Sequence, residues 1–408
     1  MLTRRAFLQS VALSAAGSRA VADTPAGLAP FDKLMTDFLA DHKVPGAALA
    51  VSRHGKLVYS RGFGFADADK KVPVQPDALF RIASVSKPFT AVGVLQLVER
   101  GKIKLDDPIL KYVPLKPHLD AGKEVDPRLK SVTVRHCLQH TGGWDRGKSG
   151  DPIVIPKRIA DALKIDLPVP PEAVVRYTLG RPLDFDPGTK NVYSNVGYLL
   201  LGRAIEAASG QKYEDFIRKE VLAPIGVTRA ALGRALPENR AKGEVGYFDH
   251  RKRTGECVYP PRVGQRVPLP DGYFNIEGFE AHGGWVASAP DLVRFASAFD
   301  DPARCKLLNE GSIKTMWERP AGNAGHDAKG KPKNVYYGCG WDVRPIGSDG
   351  GLNAWHTGLI PGTASILVRL HNGLDWAALF NASHDQDNKF LAELIDPLIG
   401  ETAAKVKW

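Results

Sequence analysis

A serine and a lysine one helical turn apart stand at the start of a long apolar stretch and could together carry out acyl transfer. Ser84 and Lys87 fit the pattern Ser-x-x-Lys, and apolar residues at helical spacing follow as far as Gly101. This spacing predicts a buried helix that begins at or just before Ser84 and places Lys87 one turn above the hydroxyl. A buried lysine can lose its proton near neutral pH, and a serine needs such a base to become a nucleophile.

The same pattern occurs again at Ser209 and Lys212. There it follows a stretch with helical spacing, and Gly210 is typical of a helix C-terminus. We therefore interpret Ser209 as a helix end and Ser84 as the candidate nucleophile.

Two further motifs lie far from this pair in the sequence. Tyr193-x-Asn195 follows a Pro-Gly pair at 187–188, and His356-Thr357-Gly358 lies on a predicted strand near the C-terminus. A second Tyr-x-Asn, at 273–275, lacks the Pro-Gly pair, and a second His-Thr-Gly, at 140–142, follows a helical stretch instead of lying on a strand.

Strands at both ends of the chain and helices between them must position these motifs. Strand patterns cover 46–51, 57–60, 283–288, 336–343, 354–357, 364–370 and 375–381, and helical patterns cover 29–44, 132–140, 171–179, 198–208, 213–222, 289–299 and 391–399. His54-Gly55 and Asn372-Gly373 are typical hairpin turns. We predict an α/β fold of the α+β type, in which both chain ends build one antiparallel sheet flanked by helices, with a mostly helical insertion.

The N-terminus resembles a bacterial twin-arginine export signal. Arg4 and Arg5 precede a modest apolar run, and Ala20-Val21-Ala22 supplies a small-residue cleavage site. An ordinary Sec signal or a frayed amphipathic terminus remains the alternative.

We expect residues 1–22 to be a leader and 23–408 one domain, with a sheet lobe (23–82 and 281–408) and a mostly helical lobe (83–280). No later stretch is long and apolar enough to span a membrane, so we expect a periplasmic or secreted protein.

The net charge of +10 comes from basic residues scattered along the chain. No basic run with interleaved aromatic residues occurs, so we expect no nucleic-acid partner. Contact with anionic cell-envelope polymers is left open.

Cys137 and Cys339 are expected to be buried thiols, whereas the sequence leaves open whether Cys257 and Cys305 pair.

Taken together, the motifs resemble those of the penicillin-recognising serine hydrolases, nearest their class C β-lactamase-like branch. That branch also holds D-Ala-D-Ala carboxypeptidases, D-aminopeptidases and related esterases. The resemblance extends over most of the chain after the leader and implies a β-lactamase/transpeptidase-like fold. It includes the His-Thr-Gly-Gly segment at 140–143, Gly-Gly at 283–284 and Tyr-Gly-x-Gly-Trp at 337–341.

The resemblance implies a role for each motif residue. Ser84 would attack the substrate carbonyl and form an acyl-enzyme, and Lys87 would take or relay the hydroxyl proton. Tyr193 matches the second base or proton donor, and nearby Lys87 would make its phenolate easier to reach. Asn195 would hydrogen-bond Lys87 or the substrate. The oxyanion hole would be the backbone N–H groups of Ser84 and Leu359.

One departure from the family pattern concerns the substrate. Lactam-binding members usually carry Lys-Thr-Gly where this chain has His356-Thr357-Gly358, and their lysine helps to hold a carboxylate. An imidazole is mostly neutral at pH 7. We therefore predict an exported serine hydrolase acting on esters or small amides and peptides. A β-lactamase or D-Ala-D-Ala carboxypeptidase is the alternative, and a non-catalytic penicillin-binding or sensor module is the second.

No cofactor and no metal are expected. His136 and His140 lie four residues apart on a probable helix, but no glutamate follows His136 to complete a zinc motif. The Pro- and Gly-rich loops at 147–168 and 251–271 suit lids over the site, although ordinary surface loops look the same.

Overall fold

The computed structural model describes residues 26–67, 69–347 and 350–408. The expected leader, 1–22, lies outside these residues. The helices are α1 (Ala29–Asp41), α2 (Ser86–Glu99), α3 (Val134–Leu138), α4 (Pro156–Leu163), α5 (Pro171–Leu179), α6 (Asn195–Ser209), α7 (Tyr213–Phe216), α8 (Glu280–Gly283), α9 (Ala289–Ser297), α10 (Glu310–Met316), α11 (Gly322–Gly325) and α12 (Leu391–Lys405). The strands are β1 (Gly46–Arg53), β2 (Lys56–Asp67), β3 (Val72–Pro73), β4 (Phe80–Arg81), β5 (Ala231–Leu232), β6 (Thr254–Glu256), β7 (Arg266–Pro268), β8 (Trp285–Ala287), β9 (Tyr336–Tyr337), β10 (Asp342–Ile346), β11 (Gly351–Ile360), β12 (Thr363–Arg369) and β13 (Leu374–Phe380).

An eight-stranded antiparallel sheet joins the two ends of the chain. Its strand order is β3-β2-β1-β13-β12-β11-β10-β9. N-terminal β1 pairs with C-terminal β13, with Ala50 opposite Ala377. The predicted α+β fold, with a sheet built from both chain ends, is therefore confirmed.

Both faces of the sheet are covered. In β1, Ala47, Leu49 and Val51 belong to the core beneath α1 and α12, and Ala48 and Ala50 belong to the larger core on the other face. Successive side chains of a strand point to opposite faces. A strand buried on both faces is apolar at every position, which explains the continuous apolar run in the sequence.

Helix α2 is buried on nearly all sides and lies against α6. It begins at Ser86, and a 3-10 turn (Ala83–Val85) links it to β4, so Ser84 lies in the turn just before the helix. Helix α6 ends at Ser209, where Gly210 adopts φ +71°. The prediction that Ser209 is a helix end is confirmed.

The middle of the chain contains strands that the sequence did not predict. β8 pairs with both β4 and β5 in a three-stranded sheet, and β6 pairs with β7 in a hairpin. The strands β5 to β7 are two or three residues long, too short to show a period-2 pattern. Helix α4 lies within the region that the sequence indicated as a loop.

All four cysteines lie in the part of the chain that the structure describes, and none of them forms a disulfide. The expected buried thiols at Cys137 and Cys339 are confirmed. Cys257 belongs to a small core around β6 and β7, whereas Cys305 packs against the main core. In the described ranges, no helix combines the length and apolar character needed to cross a membrane.

Candidate active site

The structure brings Ser84, Lys87, Tyr193 and Asn195 together where α2 and α6 begin. The Tyr193 hydroxyl donates to Ser84 Oγ at 2.7 Å, and Lys87 Nζ lies 3.2 Å from the same atom. Ser84 is half-buried, while Lys87 is fully buried. A hydroxyl between an amine and a phenol is the arrangement that an activated nucleophile requires.

The turn that presents Ser84 is held by its neighbours. Ala83 adopts φ +45°, a region that residues other than glycine seldom occupy. Ser86 Oγ donates to Ala83 O at 2.6 Å and accepts from the Trp285 N–H at 3.3 Å. Such unfavourable backbone conformations persist where the surrounding contacts hold them, often at functional sites.

Three oxygen atoms lie within hydrogen-bond distance of the Lys87 amine. Besides Ser84, these are Asn195 Oδ1 at 2.9 Å and His282 O at 2.7 Å. Burial lowers the pKa of Lys87 well below its usual value, because desolvation disfavours the ammonium form; the nearby Asp151 raises this pKa and Arg146 lowers it further. Lys87 is therefore suited to be a neutral amine that donates two N–H bonds and turns its lone pair to Ser84.

The electrostatics of Tyr193 differ from the sequence-based expectation. Lys87 Nζ does lie 4.7 Å from the ring centroid. Burial nevertheless raises the pKa of Tyr193 above that of a free tyrosine, outweighing the hydrogen bond to Ser84 and the charge of Arg146. The phenolate is thus harder to reach, because a buried phenol loses the water that would solvate its anion.

His140 fixes the segment that carries Tyr193. Its backbone oxygen accepts from the Val192 N–H at 2.8 Å, and its Nδ1 accepts from the Ser194 N–H at 3.3 Å. The two rings lie 4.4 Å apart. His140 therefore holds the backbone on both sides of Tyr193.

His136 instead caps α3 through Thr133. Within the described ranges, no cluster of three or more His, Cys, Asp or Glu residues could hold a metal ion.

Asp151, in the loop at 147–168, reaches the site and was not singled out from the sequence. Asn195 Nδ2 donates to Asp151 Oδ2 at 2.7 Å, while Asn195 Oδ1 accepts from Lys87. This loop therefore contacts the cluster around Ser84 directly. The loop at 251–271 contacts the 147–168 loop, because Glu256 of the former pairs with Lys157 of the latter at 3.2 Å.

Arg146 is a second residue near the site that was not singled out from the sequence. Its guanidinium carbon lies 4.9 Å from the centroid of the Tyr193 ring, and the residue is exposed. The position of Arg146 depends on how its loop folds against residues distant in the sequence, and no sequence motif indicates this.

His356 is 3% exposed, and both its ring nitrogens have partners within the protein. Nε2 lies 3.0 Å from the Tyr337 hydroxyl and Nδ1 lies 2.6 Å from Thr357 O. Burial lowers the pKa of His356 to about 3, because desolvation disfavours the imidazolium form. The ring is therefore neutral at pH 7, donating from Nδ1 to Thr357 O and accepting at Nε2 from Tyr337.

The remaining predicted residues follow His356 on β11. A Cβ on Gly358 would lie 2.2 Å from Ile82 O, so the strand approaches the Ser84 turn closely here. Leu359 comes next, with an exposed side chain. Thr357 lines a cavity on the opposite face of the sheet with Trp376. The structure thus separates the Thr357 side chain from the cluster around Ser84, as strand alternation requires.

Comparisons with known proteins agree with this architecture. The family model described as Beta-lactamase matches residues 31–398. Esterase EstB of Burkholderia gladioli is 34% identical over 272 residues, covering 65% of this chain and 62% of that protein. Penicillin-binding protein 4* of Bacillus subtilis (strain 168) is 28% identical over 344 residues, covering 80% of this chain and 66% of that protein.

The chain thus spans less than two thirds of the length of these two curated relatives. Among solved structures, D-amino acid amidase from Ochrobactrum anthropi SV3, complexed with D-phenylalanine, is 25% identical with a TM-score of 0.66. That match covers 92% of this chain and 98% of the amidase.

Proposed function

The chain belongs to the beta-lactamase family, and we propose that it is a serine hydrolase that forms an acyl-enzyme on Ser84 and acts on esters or small amides. The contact of both Tyr193 Oη and Lys87 Nζ with Ser84 Oγ, at 2.7 and 3.2 Å, carries the proposal. The full set of groups for covalent catalysis argues against a non-catalytic sensor.

In the proposed acylation step, Ser84 Oγ attacks the substrate carbonyl carbon while its proton passes to the neutral Lys87 amine. The carbonyl π bond opens, and the backbone N–H groups of Ser84 and Leu359 receive the oxyanion. Loss of one such donor typically costs about 3 kcal/mol of transition-state stabilisation. Collapse of the intermediate then breaks the bond to the leaving alkoxide or amine.

The raised pKa of Tyr193 suits it to be the acid of this step. A neutral phenol beside Ser84 Oγ can protonate the leaving group, and the proton on Lys87 then restores the phenol. In the second half-reaction, water attacks the acyl-enzyme while its proton passes to the neutral Lys87 amine. Collapse of the intermediate breaks the bond to Ser84 Oγ, which the Tyr193 phenol protonates, and the proton on Lys87 restores the phenol.

The neutral, enclosed His356 supports esters and small amides over β-lactams, because the cation usual at this position is missing. Similarity to an esterase and to a D-amino acid amidase supports the same substrate class. The likeness to penicillin-binding protein 4* keeps a carboxypeptidase as the second candidate.

Hydrolysis of p-nitrophenyl butyrate by the wild-type protein and by Ser84→Ala tests the activity. We expect turnover that the substitution abolishes. Turnover that survives in Ser84→Ala would assign the chemistry to another residue.

Export through the twin-arginine-like leader is part of the proposal, with a periplasmic or secreted location. Arg4 and Arg5 ahead of the apolar run support it. Replacing both arginines by lysine should keep the protein in the cytoplasmic fraction. Unchanged export would contradict a twin-arginine route. The basic net charge supports contact with anionic cell-envelope polymers once the protein is outside.

A further inference from the structure

A small cavity of about 200 Å³ lies beside the catalytic cluster, on the Asn195 side. The first residues of α6, the loop from 144 to 158 and the end of α5 form its walls. Its lining includes Trp144, Tyr177 and Asn195 together with three arginines, Arg146, Arg158 and Arg181. An aromatic cavity with guanidinium groups, bordered by the Asn195 side chain that accepts from Lys87, has the form of a substrate subsite.

Two of these arginines lack a carboxylate partner. Arg181 pairs with Asp120 at 2.8 Å. Arg146 and Arg158, by contrast, form no ion pair with any residue that the structure describes, and the Arg146 guanidinium carbon lies 4.9 Å from the centroid of the Tyr193 ring. A guanidinium stacked on a ring keeps its in-plane N–H donors free for an anion.

The acidic residues around the cavity are already engaged by other donors. Asp151 accepts from Asn195, and Asp145 pairs with Lys190 at 3.2 Å. Asp184 accepts from the Asp145 N–H and from Ser149. None of the three is paired with Arg146 or Arg158, so both guanidinium groups keep N–H donors for a ligand.

The position of Arg146 links the cavity to the reacting atoms. Its guanidinium lies over the ring of Tyr193, whose hydroxyl contacts Ser84 Oγ. Its charge also acts on the pKa values of Lys87 and Tyr193. An anion bound by Arg146 would therefore belong to the molecule that Ser84 attacks.

We propose that this cavity binds a carboxylate carried by the substrate, held by Arg146 with Arg158, so that the preferred esters or amides are anionic. The proposal rests on the hydrolase function above and names its substrate class. Arg146 supplies bidentate donors to the carboxylate, while Trp144 and Tyr177 cover the adjoining carbon chain.

A matched pair of substrates tests the subsite: p-nitrophenyl hydrogen glutarate and its methyl ester, which differ by one negative charge. We expect the wild-type kcat/KM to favour the anionic ester about tenfold and Arg146→Gln to reduce the ratio to about one, since a charge-assisted hydrogen bond is worth about 1.5 kcal/mol or more. The ratio cancels any change in reactivity common to both esters. Lys157→Gln removes the same charge from an exposed lysine of α4 that does not line the cavity and should keep the wild-type ratio.

Calorimetric binding of glutarate monomethyl ester, and of its dimethyl ester, to Ser84→Ala separates this proposal from the hydrolase function. Tighter binding of the anion, lost in the double variant with Arg146→Gln, supports the subsite even if no ester is turned over. Equal affinity for both ligands, or a wild-type kinetic ratio near one, overturns the subsite while hydrolysis of the neutral ester leaves the hydrolase function standing.

Discussion

His140 holds Tyr193 by accepting hydrogen bonds from the residues on both sides of it, with the two rings 4.4 Å apart. His140 itself adopts φ +56°, a conformation in which histidine, asparagine and aspartate are enriched among the non-glycine residues. Its imidazole is neutral, because burial lowers its pKa well below the usual value. His140 is thus a positioning residue for the acid of the proposed mechanism.

His140→Ala should therefore lower kcat about 100-fold with little change in KM, since a displacement of about 1 Å can cost that much. His140→Asn is the matched variant, because its amide oxygen can accept from Ser194 and its backbone tolerates the positive φ. We expect Asn to recover much of the loss. A positioning role would be contradicted if kcat fell equally in both variants and in proportion to a fall in their melting temperatures.

Asp151 raises the pKa of Lys87 through its negative charge. Asp151→Asn removes that charge, so the pKa of Lys87 should fall and the neutral amine should persist to lower pH. The acid limb of the kcat/KM profile should therefore move to lower pH. Asp145→Asn removes a carboxylate that pairs with Lys190 instead. In this control the acid limb of the kcat/KM profile should stay at the wild-type pH. A shift to higher pH in Asp151→Asn would contradict Lys87 as the base.

Gly358 lets β11 approach the Ser84 turn. In Gly358→Ala the new Cβ would meet Ile82 O and Ser365 Oγ at 2.2 Å and push the Leu359 N–H out of the proposed oxyanion hole. We expect kcat to fall about 100-fold, in line with the loss of about 3 kcal/mol for one donor. Gly351→Ala, at the start of the same strand, meets its neighbours only at 3.2 Å or more and should be nearly neutral. Wild-type activity in Gly358→Ala would exclude this oxyanion hole.

His356→Lys tests why the site should favour esters over lactams. The substitution restores the cation usual in lactam-binding members and should speed acylation by a penicillin about tenfold, through a charge-assisted hydrogen bond to its carboxylate. Because residue 356 is buried, the melting temperature should fall. His356→Gln introduces no charge and should leave acylation by penicillin slow. An acylation rate unchanged in His356→Lys would refute the argument from the missing cation.

The sequence predicted the cluster around Ser84 because each member lies in a short motif next to a helix or strand end. The contacts of Asp151 and Arg146 depend on how a long loop folds over α6, which no local pattern encodes. The pKa of Tyr193 was misjudged because burial is a tertiary property and here outweighs the nearby charge. The separation of the Thr357 side chain from the cluster, by contrast, was available from the period-2 alternation of a strand.

Intact mass after brief incubation tests the central claim most directly, with an activated short-chain ester and a penicillin as separate reagents and Ser84→Ala as control. The account predicts a transient acyl adduct from the ester, followed by release of the acid product. It predicts no penicillin adduct and no labelling of Ser84→Ala. An ester adduct that persists in Ser84→Ala, or no labelling of the wild-type protein by either reagent, would contradict Ser84 as the nucleophile.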